Sequence, residues 1–170
     1  MALEINKTAK EVYDWVESFG WHNKTPLECL ALIGSEVGEA VNECRDARPT
    51  YKLGTELADI CIRTFDFSVE QGVDLESCIA AKEVYGLVGA YDCHNMTPLQ
   101  SLALIARDLG SAINECLGEN PTEGLGPILA GMCLRVFSLA NQYGIDLEAC
   151  IAAKMEINRA RKKKPAGRVK

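Results

Sequence analysis

The sequence predicts an all-α protein, a helical bundle built from two repeated units that pack face to face as a pseudo-dimer within one chain. The first observation is an internal repeat, because residues 25–44 return as 97–116 and residues 72–82 return as 144–154, always 72 positions later. The second is apolar residues at helical spacing behind helix-capping signals. The third is that no stretch alternates between apolar and polar residues as a β-strand does.

The first helix signals lie near the start of each repeat. The triplet EVY at 11–13 belongs to an N-terminal helix and recurs at 83–85. Thr25, Pro26 and Glu28 form a capping box with proline at the first helical position, and a helix from about 26 to 45 follows. The second repeat opens its matching helix with the same signal at Thr97.

The later helices follow in the same order. Apolar residues from Leu53 to Phe65 mark the core face of the next helix, and Gly72 supplies the left-handed residue that ends it. Asp74 caps a further helix, which we expect to run through residue 91, so that the last helix of repeat one continues into the first helix of repeat two. The predicted division is 1–82 for repeat one, 83–160 for repeat two and 161–170 for a basic tail.

Charge and hydropathy narrow the class of protein. The net charge is −6, although the tail at 161–170 carries six positive residues and no negative one, so the body is markedly acidic. An acidic body disfavours nucleic-acid binding. Because the sequence has neither a membrane-spanning apolar run nor a signal peptide, we expect a cytoplasmic protein that binds no membrane.

The eight cysteines predict neither disulfides nor zinc. They lie singly in apolar runs, and Cys44, Cys61 and Cys78 are expected to be reduced residues of the core. The only histidines, His22 and His94, lie in loops away from any cysteine pair with ligand spacing.

Four acidic residues of the first repeat distinguish it from the second. Glu36 and Glu39 share one helix face, and Glu56 and Asp59 share a face of the next helix. Their counterparts in the second repeat are, in the same order, Asp108, Ser111, Ile128 and Gly131. Glu43 is matched by Glu115 in the second repeat, so we interpret it as an ordinary surface or structural residue.

Packed antiparallel, the two helices would bring these four carboxylates towards one point, where like charges repel and take up protons. A hard divalent cation removes that conflict. Oxygen ligands favour Mg²⁺, with Mn²⁺ as the alternative, and Mg²⁺ commonly completes its shell with phosphate oxygens. The pattern therefore predicts a metal site that acts on a phosphate ester or anhydride, with an exposed acidic face as the alternative.

The four acids form two motifs, Glu36-x-x-Glu39 and, after sixteen residues, Glu56-Leu-Ala-Asp59. This arrangement resembles the ExxE and ExxD signature of the MazG-like branch of the all-α nucleoside triphosphate pyrophosphohydrolases. The likeness covers residues 8–82 well and the second repeat more loosely. It implies Mg²⁺-dependent hydrolysis of an NTP or dNTP between the α and β phosphates, as in house-cleaning of the nucleotide pool. It also implies that the four acids are metal ligands, with Glu36 or Glu39 taking a proton from the attacking water.

The resemblance extends to substrate-binding residues. Relatives carry a lysine and, four residues later, an asparagine on the last helix, and here only the second repeat has both, as Lys154 and Asn158. We therefore expect a single composite site, with acids from repeat one and Lys154 and Asn158 from repeat two. Trp21 and His22 precede the capped helix, where relatives place residues that contact the base, although only Trp21 changes in the second repeat.

Several alternatives stay open at this stage. A narrower enzyme, such as a dUTPase or a dCTP pyrophosphatase, would use the same chemistry. An inactive nucleotide-binding or helical interaction module would use the bundle without turnover. A ferritin-like di-metal bundle would need Glu-x-x-His motifs, which the predicted helices lack. The chain could also pair again into a homodimer.

Overall fold

Seven α-helices and one short 3₁₀ helix make up the computed structural model, which describes residues 4–160 apart from 47, 119, 120 and 122. The predicted all-α fold is confirmed, because the described residues contain no strand. The predicted basic tail at 161–170 lies outside them. The helices are α1 Ile5–Ser18, α2 Pro26–Glu43, α3 Leu53–Glu70, α4 Leu75–Val84, the 3₁₀ helix Val88–Tyr91, α5 Pro98–Glu115, α6 Leu125–Gln142 and α7 Leu147–Ala160.

The helix boundaries repeat with the spacing of the sequence. Helices α2 and α5 begin and end 72 positions apart, as do α3 and α6. Both predicted capping boxes are present, and at the first of them the Thr25 N–H donates to the Glu28 carboxylate over 2.7 Å. Asp74 caps α4 as expected. These matched boundaries support the pseudo-dimer, which stays a prediction.

The prediction of one continuous helix from Asp74 to residue 91 is wrong. Helix α4 ends at Val84, and Gly86 adopts a left-handed φ of +65°. The Leu87 N–H then donates to the Lys82 carbonyl over 2.8 Å and closes the helix end. The second repeat therefore has no separate counterpart of α1 in the described residues, and its entry is the 3₁₀ helix.

The two central helices exchange partners across the repeats. Helix α3 packs against α1 and α2 of its own repeat and also against α7, whereas α6 packs against α5 and against α4. Helices α3 and α6 also contact each other, and α2 contacts α5. The last helix of each repeat thus packs against the central helix of the other repeat, α4 against α6 and α7 against α3. This packing brings α7 beside the acidic residues of α3.

The core runs through both repeats. Phe65 and Leu57 on α3 and Leu129 on α6 are fully buried within one continuous apolar cluster. All eight cysteines are free thiols; Cys44 and Cys61 are buried, as predicted, and Cys78 is partly buried. Among the described helices, none has the length and apolar character needed to cross a membrane.

Candidate active site

Three of the four predicted acids converge between α2 and α3. Carboxylate oxygens of Glu36, Glu56 and Asp59 all lie within 4.8 Å of one another. Glu36 is only 7% exposed, so water does little to screen the repulsion at its position. We call these three residues the acid cluster. Such an arrangement needs a compensating cation.

Burial and like charge act together on the acid cluster. Burial raises the pKa of Glu56, and the charges of Asp59 and Glu39 raise that pKa further. Burial also raises the pKa of Asp59, and a hydrogen bond from Lys154 only partly opposes this shift. Both carboxyls are thus poised to take up a proton or to accept a cation.

Two side-chain cations already contact the acid cluster. The Arg63 Nε donates to the Glu36 carboxylate, and the Lys154 ammonium pairs with the Asp59 carboxylate. Lys154 comes from α7 in the second repeat, and its side chain is 19% exposed. The predicted meeting of first-repeat acids with second-repeat Lys154 is therefore present as a direct ion pair.

A cavity of about 460 Å³ opens beside the acid cluster. It is lined by residues of α1, α2, α3, α7 and the loop before α2. Among its walls are seven of the eight predicted site residues: Trp21, His22, Glu36, Glu39, Asp59, Lys154 and Asn158. The eighth, Glu56, belongs to the acid cluster, and Glu39 lies near enough for its charge to raise the pKa of Glu56.

Asn158 contributes an unsatisfied polar atom to the cavity wall. Its side chain is only 6% exposed, and its Oδ1 has no hydrogen-bond partner among the described residues. Buried acceptors are rarely left unpaired in folded proteins. This observation is independent of the acid cluster and points to a ligand with a hydrogen-bond donor.

Part of the cavity wall is aromatic. The Trp21 ring stacks on Phe19 at 4.8 Å between centroids and meets the edge of Trp15 at 5.5 Å. Trp21 is 44% exposed, so a flat apolar surface remains open at the cavity wall. Such a surface suits the stacking of a planar ring.

His22 lines the cavity with both ring nitrogens already engaged. Its Nδ1 lies 2.7 Å from Glu17 Oε2 and its Nε2 lies 2.9 Å from Asp66 Oδ1, while the ring stacks on Tyr13. A ligand would have to displace one of these carboxylates to bond the ring. The predicted substrate role of His22 stays a prediction, and its ring joins the loop before α2 to α1 and α3.

A stripe of charged residues on α3 was not predicted from the sequence. Arg63, Asp66 and Glu70 continue the line of Glu56 and Asp59 along one helix face, and all three line the cavity. The spacing was readable, since these positions follow one another at steps of three and four residues. The second repeat, which keeps only the arginine, carries in their places Arg135, Ser138 and Gln142.

The Glu36 ion pair, in contrast, is common to both repeats. Asp108 accepts a hydrogen bond from the Arg135 Nε over 2.8 Å, just as Glu36 pairs with Arg63. The change from Glu36 to Asp108 therefore keeps the negative charge and its arginine partner. The acids that set the first repeat apart are Glu39, Glu56 and Asp59.

The matching position in the second repeat is filled by Tyr91. Its hydroxyl lies 2.6 Å from the Lys82 Nζ, and its ring packs under the Arg135 guanidinium at 4.9 Å. A Cβ added at Gly131, the counterpart of Asp59, would lie 2.5 Å from the Tyr91 Cε1. An aspartate therefore does not fit there without movement of the tyrosine.

Comparison of the chain with protein-family models, with curated proteins and with solved structures gives no match. The chemistry of the site must then be inferred from its own geometry. That geometry joins a buried acid cluster, two side-chain cations, an unpaired amide oxygen and an aromatic wall around one cavity.

Proposed function

We propose that the protein is a Mg²⁺-dependent nucleoside triphosphate pyrophosphohydrolase of the MazG-like kind, which converts an NTP or dNTP and water to the monophosphate and pyrophosphate. The observation that carries the proposal is the acid cluster of Glu36, Glu56 and Asp59, of which Glu36 and Asp59 line a cavity together with Lys154. We further propose a role in cleansing the nucleotide pool of the cytoplasm.

The residues present fit a hard divalent ion. The donors are carboxylate oxygens from Glu36, Glu56 and Asp59, close enough together for one ion, and Glu39 is the fourth candidate ligand. Mg²⁺ is the proposed ion, and Mn²⁺ is the alternative. When bound, such an ion neutralises triphosphate charge and polarises the phosphorus that water attacks.

The protein's own side chains divide the remaining work. Glu39 is exposed in the cavity wall whereas Glu36 is tied to Arg63, so Glu39 is the better-placed base to take a proton from water. Lys154 supplies positive charge for the triphosphate, and the Asn158 amide offers a free acceptor. Trp21 gives the base an aromatic surface.

As partners we propose the nucleoside triphosphate alone, with no nucleic acid and no membrane. A homodimer of the whole chain is the alternative assembly. The composite site supports one catalytic centre per chain, since the matching position in the second repeat holds Tyr91.

The decisive experiment incubates the protein with the four NTPs and four dNTPs, with Mg²⁺ or with EDTA, and quantifies products by ³¹P NMR. We expect monophosphate and pyrophosphate in equal amounts from at least one substrate, and none in EDTA. Release of orthophosphate and a diphosphate would contradict the proposal, and inertness across the panel would favour a binding module.

A matched pair of variants ties the activity to the site. Glu56→Gln keeps the shape of the side chain and should lower kcat by at least about 10²-fold, more than is typical of residues that only support a ligand. Asp108→Asn removes a buried carboxylate from the second repeat and should leave kcat within about threefold of wild type, since no step needs it. Equal losses in the two variants would point to a general folding effect.

A further inference from the structure

We infer that Lys154 is an exchangeable counter-ion, which holds Asp59 while the acid cluster lacks a divalent ion and turns to the substrate phosphates when the cluster takes one. The inference rests on the proposed function. It assigns Lys154 a role in metal binding as well as in substrate binding.

The contact between Lys154 and Asp59 places one cation where another is expected. Asp59 belongs to the acid cluster, and its side chain is 13% exposed against 19% for Lys154. When ionised, the three carboxylates of the cluster carry three negative charges, and Arg63 and Lys154 supply two positive ones. Lys154 therefore competes with a divalent ion for the same carboxylate.

The second repeat shows what a lysine does at this position when the acid is absent. Lys82 is the counterpart of Lys154, and Gly131 stands in place of Asp59. Lys82 instead donates to the Tyr91 hydroxyl over 2.6 Å and lies over the ring at 4.4 Å. Each lysine thus contacts an acceptor on a neighbouring helix: Lys154 contacts Asp59 on α3, and Lys82 contacts Tyr91 on the 3₁₀ helix. Only Asp59 is a candidate metal ligand.

The lysine side chain suits such an exchange. It is a compact charge on a flexible four-carbon stem, so it can leave Asp59 and still reach other atoms of the cavity wall that it shares with Asn158. A triphosphate entering the cavity offers new anionic partners to a freed ammonium. Lys154 would thereby couple occupancy of the acid cluster by a cation to capture of the anionic substrate.

The test titrates the full-length protein with Mn²⁺ alone and counts free ion by electron paramagnetic resonance, in wild type and in Lys154→Met. We expect the variant to bind Mn²⁺ roughly tenfold more tightly, because one competing positive charge is gone from the ligand set. At saturating Mn²⁺, by contrast, the wild type should bind inorganic tripolyphosphate more tightly than Lys154→Met does.

Two lysine variants serve as controls. Lys82→Met removes the counterpart in the second repeat, and Lys24→Met removes a cation from the same cavity wall that contacts Trp21 and Asn23 rather than the acid cluster. Both should bind Mn²⁺ like wild type. Circular dichroism and thermal unfolding establish that each variant is folded, and Lys154→Gln replaces the methionine variant if that one is not.

The outcomes separate the two proposals. Tighter Mn²⁺ binding in Lys154→Met, or binding in that variant alone, supports the exchange. Wild-type Mn²⁺ binding that is unchanged or weakened by the substitution overturns the exchange and leaves the proposed function standing. Absence of Mn²⁺ binding in every variant overturns the metal site itself, and the exchange with it.

Discussion

At the scale of single residues, His22 shows how far a site residue's role depends on its neighbours. The loop position and the resemblance favoured contact with substrate, yet the ring lies between Glu17 and Asp66 and bridges α1 to α3. The sequence could place His22 near the site, because it precedes the capped helix. It could not reveal that the two ring nitrogens contact carboxylates on different helices, Glu17 on α1 and Asp66 on α3.

This bridge makes folding stability depend on pH. Burial lowers the pKa of His22, but hydrogen bonds to Asp66 and Glu17 outweigh it, so the pKa is raised above 6.5. A raised histidine pKa contributes stability that is complete below 6.5 and is lost as pH rises through the folded-state pKa. Compared with His22→Gln in urea unfolding, the wild type should therefore lose part of its advantage as the pH rises above 6.5.

The control is His94→Gln, at the exposed matching position of the second repeat. Its difference from wild type should stay constant over the same pH range. A difference for His22→Gln that is equally constant would contradict the charged bridge.

At the scale of elements, local signals predicted the helices and tertiary contacts decided their ends and partners. The helix starts at Thr25 and Thr97 could be predicted because a capping box involves only four consecutive residues. The break at Gly86 was missed because the copied EVY triplet suggested a helix that continues. Which helix packs on which is absent from local sequence, and so the exchange of α4 and α7 appears only in the fold.

The contact between α6 and the 3₁₀ helix can be tested at Gly131. Gly131→Ala should lower the free energy of unfolding by about 1–3 kcal/mol, because the new Cβ meets the Tyr91 ring, which Lys82 and Arg135 hold in place. Gly110→Ala, on α5 with open space around the new Cβ, should instead stabilise by up to about 1 kcal/mol. Both changes are measured by urea unfolding.

A double variant isolates the cause. In a Tyr91→Ala background the Gly131→Ala change should no longer destabilise, since the ring edge is gone. If the penalty at Gly131 persists there, the tyrosine does not fill the second position as described.

At the scale of the whole molecule, the repeats combine unequal parts into one site. Comparison between the repeats singled out the four acids, and the resemblance added Trp21, His22, Lys154 and Asn158. Seven of these eight residues line a single cavity. The comparison missed Arg63, whose counterpart Arg135 is unchanged, and Tyr91, whose counterpart is another aromatic residue, Phe19. A comparison between repeats does not reveal a site residue such as Arg63 when the same residue stands at the matching position.

The contribution of the second repeat can be measured at Asn158. Asn158→Ala removes an amide whose oxygen lacks a partner, so stability should change little beyond lost packing. KM should rise roughly tenfold, because one hydrogen bond from a donor group of the substrate is lost. Glu156→Ala, exposed on the same helix, is the control. Steady-state kinetics that leave both KM and kcat unchanged in Asn158→Ala would remove the composite site.

The proposed function requires a divalent ion among the acids of the first repeat. An anomalous difference map from a crystal soaked in MnCl₂ would locate that ion. We expect a single peak bounded by Glu36, Glu56 and Asp59, and none beside Asp108. A map with no peak among the three acids, or with an equal one beside Asp108, would contradict the account.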